Sequence, residues 1–298
     1  MTETGVTGPG ISRLTGTRRP SDGSRPVLLA VAHGSRSAAG VAANRALLRR
    51  VQVLRPGLDV RCCFLDLVRP TLPEALAALD GRAAVLVPLL LGGGYHLRVD
   101  LPGALAAAGL TRLPLARALG PHPLLATALA DRLAAAGRPA GAGPGVLAAA
   151  GASDPAAHAA PARTAELLAD RLAAAGRPAG AGPGVLAAAG ASDPAANADT
   201  ARTAELLADR LGDGSTVVPA YLSAARPSPR EAVAALHAAG HRRVAVATHL
   251  LAPGFFADRA AATGAHWTSA PLGTHEALAR LVALRYDEAR VESLAAAR

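Results

Sequence analysis

The chain has 298 residues, 51% hydrophobic and only 2% aromatic, with 31 basic against 22 acidic residues and a formal net charge of +9. That length supports two hydrophobic cores. Every basic residue is arginine, and three Phe, three Tyr and one Trp leave too few stacking platforms for single-stranded nucleic acid, so no nucleic-acid partner is expected. An acidic small molecule suits the balance better, because arginine forks match carboxylates bidentately.

Residues 1–25 are rich in Thr, Gly, Ser and Arg and hold no apolar segment, which predicts a disordered tail, no signal peptide and no membrane helix. Val27 to Ala32 is an unbroken apolar run bounded by Pro26, the pattern of a strand buried on both faces. It stops on His33. Ser35 and Ser37 can cap the helix that follows, whose apolar side carries Val41, Ala42 and Leu48. His33 therefore belongs at the carboxyl end of a strand, where open α/β sheets bind their ligands.

Leu58 to Leu67 reads as a second strand with Asp66 near its end, and Pro70 to Leu79 as a short helix with Thr71 and Glu74 in capping-box spacing. Ala83 to Leu91 is a third, fully apolar strand, and the turn Gly92-Gly93-Gly94-Tyr95 after it again ends on a histidine, His96. The chain then enters a helix through Asp100 and Pro102, and Arg112 to Ala118 is expected as a fourth strand. Cys62 and Cys63 are adjacent on a strand and so point to opposite faces, which excludes a disulfide and favours a reducing cytoplasm. His33, Asp66 and His96 thus fall at three strand ends, which a parallel sheet sets along one rim. Such a set suits a divalent first-row metal and could also pass protons.

Residues 131–169 recur as 170–208, changed only at His158/Asn197, Ala160/Asp199 and Pro161/Thr200. Two copies are too few for a solenoid, so this is a tandem duplication within one domain. Each copy carries one short strand, Val146 to Ala150 or Val185 to Ala189, and only one is needed; the second copy is expected to be the integrated one, leaving His158 as neutral surface. The second half then echoes the first. The segment after Ala220 parallels that after Cys63, and Val244 to Leu251 parallels Val85 to Gly92. Gly190 stands against His33, Ser223 against Asp66, and Phe255-Phe256 against His96, so the site is supplied by the first lobe and walled by the second. His249 is a further candidate to line the pocket. The expected fold is α/β, two similar lobes each with a small parallel sheet flanked by helices and a cleft between them. Its expected divisions are 1–25 as tail, 26–126 as N-terminal lobe carrying the catalytic residues, 127–182 as linker helix and duplicated unit, and 183–298 as C-terminal lobe.

The runs VAHGSR, FLDLVRPTLPEAL and VPLLLGGGYHLRVDLP resemble the sirohydrochlorin chelatases, class II chelatases that insert a divalent metal into a tetrapyrrole in sirohaem and cobalamin synthesis. The resemblance extends over about residues 27 to 126 and 183 to 290, as in the family's long two-lobed form. It implies a lyase in which His33 and His96 bind the incoming metal and accept pyrrole protons. Asp66 stands where the family often has glutamate, as a third metal ligand one methylene shorter. Arg36, Arg69 and Arg98, each beside a ligand segment, would orient the carboxylate-rich sirohydrochlorin. Fe2+, Co2+ or Ni2+ is then a substrate, with no cofactor permanently bound. The competing reading is a non-catalytic tetrapyrrole or metal carrier. A nucleotide-binding protein does not fit, because HGSRSAAG lacks the three-glycine fingerprint and no GxxxxGK[ST] loop exists.

Overall fold

The apolar run Val27–Ala32 forms strand β1, buried along its whole length. In the computed structural model, which describes residues 25–139, 145–149, 183–188, 194–212 and 215–296, β1 is the middle of a parallel sheet ordered β2-β1-β3. Its neighbours are β2 (Val60–Phe64) and β3 (Ala84–Pro88). A strand with a neighbour on each side and a layer on each face has no wet surface, which is why its sequence is continuously rather than alternately apolar.

Helices α1 (Ala38–Leu54), α2 (Leu72–Ala77) and α3 (Leu101–Ala107) complete this lobe. The Ser37 hydroxyl accepts the Gly40 N–H to start α1, and the Thr71 N–H donates to Glu74 Oε2 at 2.8 Å to start α2. Cys62 and Cys63 are free thiols, packed toward the cores on opposite faces of β2. The expected fourth strand is reduced to a single bridge, Leu86 to Leu115. Pro114 offers a carbonyl to Leu86 but has no N–H with which to extend the ladder.

The second sheet is parallel too, ordered β5-β6-β4-β7-β8: β4 is Gly145–Ala149, β5 Pro183–Ala188, β6 Thr216–Tyr221, β7 Ala245–His249 and β8 Trp267–Thr268. Around it lie α4 (Pro123–Ala135), α5 (Pro194–Leu211), α6 (Pro229–Ala238), α7 (Phe255–Ala261) and α8 (Glu276–Ala296). The trio β6-β4-β7 repeats β2-β1-β3 in register, since Ala32 opposes Phe64 as Ala149 opposes Tyr221, and the Phe64 and Tyr221 N–H groups donate to the Pro70 and Pro227 carbonyls respectively.

One expectation fails here. The strand in the middle, β4, comes from the first copy of the duplicated unit, while the strand of the second copy, β5, sits at the edge against β6. The helix that follows, α5, does come from the second copy, so the lobe is a hybrid. The two strand sequences are identical, and they take identical registers on the two sides of β6: Val146 and Val185 both oppose Val218. A hydrophobic pattern sets register but cannot choose between two equal copies. Since Ala32 matches Ala149 in these registers, the residue that follows in sequence, Ala150, is the counterpart of His33, an alanine rather than the expected Gly190.

The longest helix, α8, packs on α1, β3 and α4, and one core runs through both sheets, from Leu28 and Val85 through Leu129 and Leu207 to Ala247 and Leu281. Residues 1–24 of the expected tail, His158 and most of the duplicated linker lie outside the described residues.

Candidate functional site: a histidine pair on the rim of the first sheet

Both histidines follow strands of the first sheet, and the parallel arrangement brings them together. The His33 and His96 rings lie 4.6 Å apart between centroids, tilted by 42°. His33 is exposed and His96 partly so, on the carboxyl edge of the sheet.

Two local devices hold this edge. Gly34 has φ +104, and a Cβ there would stand 1.9 Å from the Asp66 carbonyl oxygen, so only glycine lets the turn after β1 lie flat on the turn after β2. The Asp66 N–H donates to the His33 carbonyl at 3.0 Å across the same seam. After β3 the chain enters a π-helical turn, His96–Asp100, in which His96 Nδ1 and Asp100 Oδ2 are 2.5 Å apart. This contact orients the ring and leaves Nε2 as its outward nitrogen, the arrangement that a carboxylate imposes on a metal-binding imidazole.

Burial pushes the His33 pKa below its ordinary value, and the adjacent His96 pushes it the same way; the Asp66 and Asp100 carboxylates pull against both. The ring is therefore neutral at pH 7, the form that binds a metal or accepts a proton.

Asp66 reaches the rim, but its Oδ1 accepts its own neighbour's N–H, from Leu67 at 2.7 Å. Among the described residues no three His, Cys, Asp or Glu side chains close into a metal cage. One oxygen of the Asp66 carboxylate is thus engaged in stabilising the turn. Leu67 has φ 65 and Ala224 in the second lobe φ 56, so the left-handed turn belongs to the fold, whereas the carboxylate belongs to the first lobe alone.

Of the expected anchors, Arg36 is exposed on the rim. Arg69 pairs with Glu74 at 2.9 Å while remaining 85% exposed. Arg98 is exposed on the π-turn. Sequence reasoning missed Arg45 and Arg49, which line an open trough with Ala38, Val41, Ala42 and Val68 along α1. It also missed Asp100, which the four-residue spacing from His96 could have revealed.

The second lobe closes on this rim. The Pro253 carbonyl would be 3.3 Å from a Cβ at Gly40, and Ser37 Cβ 3.7 Å from one at Gly254, so the turn before α7 abuts the start of α1. Phe255 follows it, 70% exposed, with the Arg259 guanidinium 5.7 Å from its ring centre. Leu67, Tyr95 and Val99 are also exposed apolar side chains on the rim segments. His249, by contrast, does not line a pocket: it is buried at the end of β7, and neither ring nitrogen has a partner among the described residues. Two further histidines are helix caps, His122 for α4 and His275 for α8.

Two similar parallel-sheet lobes, with paired imidazoles, among the described residues, on the rim of the first, define a two-lobed chelatase-like protein. The CbiX family model matches residues 27–136 and 183–289, and the chain belongs to the CbiX family. The second matched stretch starts on the edge strand rather than the central one, as identical copies permit.

The chain is 30% identical over 78 residues to a sirohydrochlorin cobaltochelatase of Methanococcoides burtonii, a match covering 25% of this chain and 60% of that protein. Among solved structures, SirB from Bacillus subtilis with Fe3+ superposes with a TM-score of 0.67 at 20% identity, over 91% of this chain and 98% of that one. A structure described as CbiX, the terminal enzyme for siroheme biosynthesis in denitrifying bacteria, gives 0.54 at 19% identity, over 88% and 98%. At these identities the structures establish the shared fold.

Proposed function

We propose that this chain inserts a divalent metal into sirohydrochlorin, with His33 and His96 receiving the metal and taking up the two pyrrole protons. The observation that carries the reading is the close approach of the two imidazoles, 4.6 Å apart between centroids, on an open rim facing a second lobe. Two ligands in the open hold an ion that must leave again better than a closed cage would. Insertion breaks two N–H bonds of the macrocycle and forms metal–nitrogen bonds in their place; the protons pass to the neutral imidazoles and then to water, with no change of oxidation state. Leu67, Tyr95, Val99 and Phe255 offer apolar contact to a flat ring. Arg36, Arg69 and Arg98, joined by Arg45 and Arg49, supply cations for its carboxylates.

Fe2+ and Co2+ are both candidate ions for the site, in keeping with the similar SirB structures that hold Fe3+ and cobalt, with Ni2+ a third candidate. A reducing cytoplasm would keep iron in the ferrous state. No described helix is long and apolar enough to cross a membrane.

The test is Fe2+ and Co2+ insertion into sirohydrochlorin, followed by the change in its visible spectrum. His33→Ala and His96→Ala should each lower the rate by about a hundredfold or more, the scale on which a lost proton acceptor acts, with circular dichroism unchanged. Full activity in both variants would remove the proposed site. A Soret shift on binding, with no product above the spontaneous rate, would mark a carrier instead.

A further inference from the structure

The turn that delivers His96 is built on glycine. It opens with Gly92, Gly93 and Gly94, none of which uses a left-handed backbone, so nothing in their own conformation pins the chain, and ordering them is entropically costly. The Gly94 carbonyl accepts the N–H groups of Leu97 and Arg98 at 3.1 and 3.2 Å, which ties the π-turn to the last glycine, and Leu97 packs against the core of its own lobe.

The external tie comes from the other lobe. The Gly93 N–H donates to Asp199 Oδ2 at 2.8 Å, across 106 positions of sequence. The start of α5 lies directly on the glycines: a Cβ at Gly92 would stand 3.5 Å from the Asp199 side chain and 3.8 Å from the Ala196 carbonyl. Asp199 is one of the three positions at which the duplicated units differ, and its counterpart in the first copy is Ala160, which has no acceptor. Only the helix of the second copy can make this bond.

We infer that Asp199 is a positioning residue for His96, a carboxylate of the second lobe that clamps the Gly92–Gly94 turn and so sets the imidazole against His33. Its catalytic consequence rests on the chelatase reading; the clamp itself does not. The two copies have therefore divided their roles, the first giving the central strand and the second the helix with the tether.

The experiment uses the full chain with Asp199→Ala, the residue of the first copy, and Asp199→Asn, which keeps an acceptor oxygen. Amide hydrogen exchange over residues 92–97 and the kinetics of Co2+ insertion are measured on each. For Asp199→Ala, faster exchange confined to that turn is expected, with kcat about tenfold lower, as for lost partners of metal-binding histidines, and a KM for sirohydrochlorin within about twofold of the parent. Asp199→Asn should recover most of the rate and the protection. Unchanged exchange in Asp199→Ala would overturn the inference, as would an Asn variant as impaired as the Ala variant. So would exchange raised across the whole second sheet, which would mark a general structural role. If the parent chain inserts no metal, the chelatase reading fails while the exchange comparison still decides the clamp.

Discussion

Replacing His249 by leucine should make the protein more stable, and more so in acid than at neutral pH. The ring is 2% exposed at the end of β7, and neither nitrogen has a partner among the described residues. Desolvation lowers its pKa from 6.5 to about 3. In the unfolded chain the same ring takes up a proton below about pH 6.5. The unfolded state thus binds more protons between pH 6.5 and 3, so stability falls as the pH falls through that window. From pH 6.5 to pH 5 the native ring stays neutral, and the loss is about 1.4 kcal/mol per unit, or roughly 2 kcal/mol in all.

Leucine removes that linkage and also relieves two unsatisfied polar atoms, each of which costs about 1–3 kcal/mol when buried; the new side chain's imperfect fit offsets part of the gain. Urea unfolding of parent and His249→Leu at pH 7 and pH 5 gives the difference of differences, from which all other titrating groups cancel. The variant should gain about 2 kcal/mol on the parent between the two pH values. Parallel pH dependence in the two proteins would refute the reasoning, because the buried ring would then not be the linked group.

Gly34→Ala should destabilise the chain by about 2–4 kcal/mol through the clash with the Asp66 carbonyl and the left-handed backbone, read as a fall in the urea midpoint; an unchanged midpoint would mean the two turns part freely. Asp100→Asn should slow metal insertion about ten- to a hundredfold by releasing the His96 ring, with the thermal midpoint little changed because the pair is exposed. The rate of insertion should fall on acidification with its midpoint below pH 6.5, since His33 must be neutral and its pKa is lowered; a midpoint above 6.5 would contradict its surroundings. Excising residues 151–189 joins the first copy's strand to the second copy's helix, and calorimetry should find a folded protein whose midpoint is within a few degrees of the parent.

Much of the fold was legible because its strands are buried on both faces. Val27–Ala32 and Ala84–Pro88 are continuous apolar runs of strand length, and the capping pairs Ser37/Gly40 and Thr71/Glu74 are local chemistry within a few residues of sequence. The positions of His33, Asp66 and His96 at strand ends follow from the same runs. What they do there does not. Asp66 turns its carboxylate to Leu67, an interaction of about one residue's reach that strand-end placement cannot distinguish from one aimed at a metal. His249 has the same strand-end signature as His33 yet is enclosed, because the elements packed over β7 are decided far away in the chain.

The order of residues by itself determined a two-lobed parallel α/β protein with histidines at the carboxyl edge of its first sheet, since burial patterns and turn chemistry are local and read at short range. Tertiary structure alone decided which of two identical strands takes the middle of the second sheet, and that an aspartate from the duplicated helix holds the glycine turn before His96. Both are long-range choices. Identical segments carry identical local preferences, so only the competition for neighbours in the assembled sheets can separate them.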